Sequence, residues 1–161
     1  MTADLPTQTD DERFMRAALS LADAAAAMDE VPVGAVVVID GAIAGRGHNQ
    51  QIATQDPTAH AEVVAIRAAS EALANYRLAN ATLYSTIEPC TMCLGACVHA
   101  RIARIVYGAP EPRAGAIDLL GASMRPDKRY NHLPMVEAGC LAQECGAKLR
   151  EFFQARRLDT K

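Results

Sequence analysis

Four residues in two short stretches have the types and spacing for metal chemistry. "PTAHAEVVAIRAA" carries His60 and Glu62, and "STIEPCTMCLGACVHA" carries Cys90 and Cys93. Zinc favours cysteine sulfur and histidine nitrogen in a tetrahedral arrangement. Cys90 and Cys93 stand at i and i+3, which puts both on one face of a helix. A helix N-terminus also favours the thiolate, the form that binds metal. Three ligands from two helix starts can therefore converge on one ion. His48, His99 and His132 form no second tight motif with a cysteine, and Cys97 lies one turn deeper in its helix. The site is read as open, with water in the fourth position. Zinc brings such a water to a pKa of about 7, which makes hydroxide available at neutral pH. Glu62 is the carboxylate that can take one proton and deliver it elsewhere. An acid there also suits a first helical turn, although a capping box with Thr58 would need it at position 61, which is Ala. His60 and Glu62, at i and i+2, do not share a face of a regular helix. They serve one site if the ion lies across the helix end rather than beside its barrel.

The elements that must position these residues can be traced along the chain. Thr9 and Glu12 form a capping-box signature, and Phe14, Ala18, Leu21 and Ala25 follow at helical spacing. Val36 to Ile39 is a β-branched run, Asp40-Gly41 is a two-residue hairpin signal, and a second short strand follows. "QQIATQDP" reads as a loop, and a second helix runs from Thr58 or Ala59 to about Ala74. "ATLYSTI" is a strand, Pro89 opens a third helix that runs to about Ala100, and "RIARIVYGA" is a strand. Residues 110–133 are rich in Pro, Gly and charge and are expected to be mostly irregular. "CLAQECGAKLREFFQARR" is amphipathic and helical. Strands alternating with helices predict a three-layer α/β domain.

The 161 residues fit one domain, and half of them are apolar with no Trp, so the core must be aliphatic. No run of about 18 apolar residues predicts a membrane span. The polar, acidic start "MTADLPTQTDDERF" lacks the features of a signal peptide, so a cytoplasmic location is the default. Five cysteines and no export signal argue for metal binding or catalysis at Cys90 and Cys93 rather than a disulfide framework. Cys97, Cys140 and Cys145 read as small buried hydrophobes, and His99 as the end of the third helix. The net charge of −3 hides an asymmetry. Residues 1–99 hold 5 Lys/Arg and 12 Asp/Glu (−7), whereas residues 100–161 hold 11 and 7 (+4). That pattern fits either a phosphate-facing surface on an acidic protein or ordinary solvated charge.

These stretches resemble the zinc-dependent nucleoside deaminases, whose signature is H-x-E followed by P-C-x-x-C. Within that class the chain is similar to the bacterial tRNA-specific adenosine deaminases over nearly everything after residue 10. The similarity runs through "EVPVGAVVV", "DPTAHAE", "NYRL", "ATLY", "EPCTMC", "RIARIVYGA", Asn131–His132 and "FFQARR". The resemblance implies the α-β-α cytidine deaminase-like fold, with a mixed sheet of about five strands and helices on both faces. The polar start reads as a flexible segment at residues 1–9, and the resemblance implies a single deaminase domain at 10–161. It implies one Zn2+ per subunit, held by His60, Cys90 and Cys93, with Glu62 as the catalytic proton shuttle. Zinc-activated hydroxide would attack C6 of the wobble adenosine (position 34) in a tRNA anticodon loop, yielding inosine and ammonia. A single-stranded loop lets that base splay out at low cost.

By the same resemblance Asn49 contacts substrate, its plainer reading being a turn residue. Glu111 stands where the family usually has an Asp near the RNA backbone, and Gln50-Gln51 departs from the family's more usual pair. Phe152, Phe153, Arg156 and Arg157 would offer stacking and phosphate contacts, with one phenylalanine in the core of an amphipathic helix and Phe153 the one expected to face RNA. Glu88 is a group that would orient the metal loop, or a solvated charge. The partners implied are the tRNA anticodon stem-loop and a second copy in a homodimer, with no membrane and no DNA as natural substrate. A competing enzyme reading is a free-base or small-nucleotide deaminase acting on guanine or cytosine, which would not need a basic C-terminal helix. A non-catalytic zinc subunit is a third, and such subunits typically lose the glutamate.

Overall fold

Helix α1, Asp10–Ala27, begins on the predicted capping box: Thr9 Oγ1 accepts from Glu12 N at 3.2 Å and Glu12 Oε2 accepts from Thr9 N at 3.3 Å. The computed structural model describes residues 9–119 and 130–160. The flexible segment expected at 1–9 lies outside the described residues except at Thr9, as does the 120–129 part of the irregular stretch. Five strands follow α1 in chain order: β1 Gly34–Ile39, β2 Ala42–His48, β3 Thr82–Ile87, β4 Arg104–Ala109 and β5 Met135–Ala138. Among the described residues the further helices are α2 Gln51–Thr54, α3 Ala61–Leu73, α4 Thr91–His99 and α5 Ala142–Asp159.

The strands form one sheet in the order β2-β1-β3-β4-β5. β1 is antiparallel to both β2 and β3, whereas β3, β4 and β5 are parallel. This is the expected mixed five-stranded sheet. The β1–β2 hairpin turns at Asp40 and Gly41, whose φ angles of 51° and 74° are those a two-residue primed turn demands. α1 and α5 touch each other over β1, β3 and β4, while α3 and α4 touch each other beside β2 and β1. The three layers meet in an aliphatic core that includes Met15, Val36, Leu83, Leu94 and Ile105. Among the described residues no helix is long and apolar enough to cross a membrane.

The boundaries differ from expectation where a side chain or a distant partner intervenes. The second and third predicted helices start later than expected, at Ala61 and Thr91, because His60 and Cys90 hold extended backbone as their N-caps. The "QQIATQDP" stretch contains helix α2 rather than a plain loop. Its turn is held by Gln50 O, which accepts from both Thr54 N and Thr54 Oγ1, and by buried Glu30, which accepts from Ala53 N at 2.8 Å. β5 pairs in parallel with β4 at the sheet edge, within the stretch beyond residue 133 that carried no strand signal. α4 ends at His99 as expected. Cys97 and Cys145 are buried, but Cys140 is half-buried.

Parallel β3 and β4 end on one side of the sheet, at Ile87 and Ala109, where antiparallel β1 begins and β2 ends at His48. Open α/β sheets place ligands beyond the carboxyl ends of their parallel strands. α3 reaches that side because β2 presents Gly45 and Gly47 to it. A Cβ on Gly47 would overlap the Ala61 carbonyl and the Ala65 nitrogen. The absent side chain lets the start of α3 lie directly on the sheet.

Candidate active site and adjoining groove

His60 and Cys90 are both N-caps, with φ/ψ of −73°/151° and −76°/175°. The extended backbone turns each side chain across the helix end instead of along its barrel. This resolves the face problem between His60 and Glu62, since His60 stands before α3 and Glu62 lies in its first turn. The His60 side chain makes no capping bond to α3, which leaves the imidazole free to meet the thiols of α4.

They meet closely. His60 Nδ1 lies 3.6 Å from Cys90 Sγ and 3.5 Å from Cys93 Sγ. Bond lengths of about 2.3 Å to sulfur and 2.0–2.1 Å to nitrogen, at the tetrahedral angle, require a sulfur–nitrogen separation of roughly 3.5 Å. The donor set therefore fits a zinc ion in both chemistry and spacing, and the three ligand atoms lie within 4.8 Å of one another. Hydrogen bonds from Cys93 and His60 pull the Cys90 thiol down to about 3. The bond to Cys90 raises His60. Cys93 is pushed up by its bond to Cys90 and by burial, which makes it the proton donor of the pair. Cys97 is fully buried one turn deeper and its thiol is pushed up by desolvation.

Glu62 is 3% exposed. Its Oε1 accepts from Ser85 Oγ at 3.2 Å, and its Oε2 lies 3.5 Å from Cys93 Sγ. Burial pushes the Glu62 carboxyl up. A carboxylate of raised proton affinity beside a metal-ligand cluster is suited to carry a proton between two partners. Ser85, which steadies it from the centre of β3, was not picked out from the sequence, because one serine within a strand carries no motif.

Val33, Asn49, His60, Glu62, Ile87, Glu88, Cys90, Glu111 and Ala114 line a cavity of about 140 Å³. Asn49 is buried, and its Oδ1 accepts from Ala61 N at 2.9 Å. The carbonyl end thus caps the start of α3, and the amide NH2 is the end left for a ligand. Glu88 does not approach the metal-ligand atoms by hydrogen bond. Its two oxygens accept from Glu111 N and Ile117 N, each at 3.3 Å. His48 Nδ1 bonds Asn49 O, and His132 Nε2 bonds Ile102 O near the opposite end of the sheet.

A second, wider depression of about 920 Å³ adjoins the cavity and shares Ile87 and Glu111 with it. Its walls are residues 109–113 on one side and α5 on the other. Four arginines, Arg113, Arg150, Arg156 and Arg157, line it, together with Phe153. The basic surplus of the C-terminal part is thus partly gathered on one surface. Phe153 is 45% exposed, while Phe152 is half-buried against it, edge to face at 5.4 Å. Arg156 lies 4.5 Å over the Phe152 ring and donates to Asp29 O at 2.6 Å. Arg150 and Arg157 have no ion-pair partner among the described residues.

Residues 8–109 match the family described as the cytidine and deoxycytidylate deaminase zinc-binding region. A tRNA-specific adenosine deaminase from Haemophilus influenzae is 51% identical over 94% of this chain and 87% of its own length. A solved structure from studies of A-to-I editing by tRNA:A34 deaminases at the wobble position is 43% identical. It superposes with a TM-score of 0.79 over 85% of this chain and 99% of its own. A guanine deaminase from Bacillus subtilis is 35% identical with a TM-score of 0.60, over 91% of this chain and 92% of its own. The chain belongs to the cytidine and deoxycytidylate deaminase zinc-binding family.

Proposed function

We propose that this family member converts the wobble adenosine of a tRNA anticodon loop to inosine by hydrolytic deamination. The observation that carries the reading is the pairing of a small cavity, lined by His60, Cys90 and Glu62 beside the buried Cys93, with an arginine-lined groove that adjoins it. The similarity to tRNA-specific adenosine deaminases over nearly the whole chain supports the choice of substrate.

His60, Cys90 and Cys93 would hold zinc, which supplies a Lewis acid that lowers the pKa of a bound water. The cavity is small and lies inside the fold, so the target nucleotide must leave the stack of its loop to reach it. Asn49 offers its amide NH2 to the base or ribose. Water adds at C6 of the adenine, the C6–N6 bond breaks and ammonia departs. Glu62 takes one proton from the attacking water and passes it to N1, then takes the second from the new C6 hydroxyl and passes it to the leaving amine, so it ends as it began. Ser85 keeps the carboxylate aimed into the cavity while the proton moves. The groove receives the rest of the loop, with Phe153 as a stacking face and Arg113, Arg150 and Arg157 as phosphate partners, while Arg156 is engaged by Phe152 and Asp29 O. Glu111 lines both groove and cavity, where the backbone of the flipped nucleotide would pass. Homodimeric assembly rests on the resemblance, and a cytoplasmic location follows from the substrate.

The likeness to a guanine deaminase favours a second reading, in which a free base enters the same cavity. One experiment separates them. Purified protein is incubated with an anticodon stem-loop carrying a wobble adenosine, and separately with free adenosine, guanine and cytosine. Inosine is expected in the stem-loop. Glu62→Gln is expected to lower kcat by roughly 10³-fold while zinc stays at one per chain. Turnover of free guanine with an untouched stem-loop would overturn the RNA reading and keep the zinc chemistry.

A further inference from the structure

Residues 111–117 form a strap that separates the small cavity from the groove. Glu111 and Ala114 face the cavity, and Glu111, Pro112 and Arg113 line the groove. The strap closes on itself through Gly115 N to Glu111 O at 2.8 Å and Arg113 N to Glu111 Oε1 at 3.0 Å. It has no helix or strand of its own to hold it. What holds it is the segment that carries the first cysteine. Glu88 accepts from Glu111 N with one carboxylate oxygen and from Ile117 N with the other. Pro89 O accepts from Ala116 N at 3.0 Å, and Cys90 forms a β-bridge with Gly115. Gly115 is nested against the carboxylate so tightly that a Cβ there would overlap Glu88 and the Glu111 carbonyl.

We propose that Glu88 is a positioning residue whose carboxylate clamps both ends of the 111–117 strap to the cysteine loop and so sets the mouth between groove and cavity. A carboxylate is the fitting group. It offers two acceptors and no donor to two backbone N–H groups that have no strand to pair with. A glutamine would present its NH2 to one of those N–H groups and lose that end of the clamp. Gly115 is the other half of the device, because any side chain there would push the carboxylate off the strap. The inference rests on the deaminase reading for the nature of the substrate, but the clamp itself is a statement about this fold.

The test is a double-mutant cycle of Glu88→Gln and Gly115→Ala on the zinc-loaded protein, with stem-loop kinetics, zinc content and amide hydrogen exchange measured for each. Glu88→Gln is expected to raise KM for the stem-loop about tenfold, the loss of one hydrogen bond to a charged acceptor. Its kcat should stay within about threefold. Exchange should quicken across 111–117 and not across Thr91–His99. Zinc should remain at one per chain, with an unchanged cobalt-substituted absorption spectrum. Gly115→Ala should reproduce the defect, and the double variant should be no worse than the worse single one, because both break one clamp. Wild-type KM and exchange in Glu88→Gln would overturn the proposal. So would zinc loss or an altered cobalt spectrum, which would assign Glu88 to the metal loop alone. Fully additive single effects would overturn it as well. Should the wild-type protein form no inosine at all, the deaminase reading fails and the exchange measurement alone decides the clamp.

Discussion

The cavity around His60, Glu62, Cys90 and Cys93 encloses about 140 Å³, whereas the groove beside α5 encloses about 920 Å³, and they share Ile87 and Glu111. In the cavity each polar group is bound to another: Glu62 to Ser85, His60 to both cysteines, Asn49 to the start of α3. Such a network is geometrically fixed, and removing one member leaves its partners buried and unpaired. In the groove Arg150, Phe153 and Arg157 are exposed side chains on one helix face. Each can be lost without stranding a partner. The contrast divides the work. Chemistry needs atoms held within tenths of an ångström, while a grip on a flexible polyanion needs charge and stacking surface in roughly the right place.

The contrast would break first at the metal cluster. Cys93→Ala removes a candidate ligand that is completely buried and in contact with both His60 and Glu62. Zinc content, read by elemental analysis, is expected to fall well below one per chain. Inosine formation is expected to drop by at least roughly 10³-fold, since the lowered water pKa that depends on the metal is gone. Added zinc should not restore it. A variant that kept both metal and turnover would place the metal outside this cavity and dissolve the division.

A groove change should act differently. Arg150→Ala and Arg157→Ala are each expected to raise KM for the stem-loop severalfold with kcat within about twofold of wild type. Each should also flatten the plot of log affinity against log salt by about 0.7, the value for one lost contact to single-stranded phosphate. Arg156→Ala is expected to depart from this pattern, because its guanidinium already lies on Phe152 and donates to Asp29 O. Its loss should show in the thermal midpoint more than in the salt slope. A fall in kcat for Arg150→Ala would extend the catalytic machinery into the groove.

The two regions were not equally legible in the sequence. The four cavity residues sit at local positions, N-cap and first turn, so spacing alone nearly sufficed. It erred by two or three residues on the helix starts because His60 and Cys90 are extended caps. Helix α2 escaped because its holding group, Glu30, is far away in the chain, and "QIAT" has no periodicity to show. β5 escaped because "MVEA" is short and half exposed at an edge. The groove has no motif at all. Its walls come from residues 109–113 and from α5, which meet through the β4–α5 packing, so the charge balance could point to a half of the chain and no further. Glu88 stood beside a recognised motif, yet its partners at 111 and 117 were invisible until the strap was seen to fold back.

A change outside both regions should be felt as stability rather than as kinetics, and Asp11 offers the test. Its carboxylate accepts from Arg104 at 2.6 and 2.9 Å and from the Tyr84 hydroxyl at 2.6 Å, while Arg104 also bonds Glu137. The cluster ties α1 to β3, β4 and β5 near the strand starts, away from the cavity. Arg104 holds the Asp11 carboxyl below its ordinary value of 3.8. The folded state therefore binds the proton less well than the unfolded chain does. The stabilisation is fully present above about pH 4 and is lost as the pH falls through the lower folded value. Asp11→Asn is expected to cost about 1 kcal/mol at neutral pH, a modest figure for a partly exposed pair. The gap between wild type and variant, measured by urea unfolding, should narrow as the pH drops below about 4. Zinc content and stem-loop KM should stay at wild-type values throughout the neutral range. A shift in KM without a shift in unfolding midpoint would mean that the far end of the sheet is coupled to the groove through α1 and α5. The separation of chemistry, grip and support into three parts of the fold would then fail.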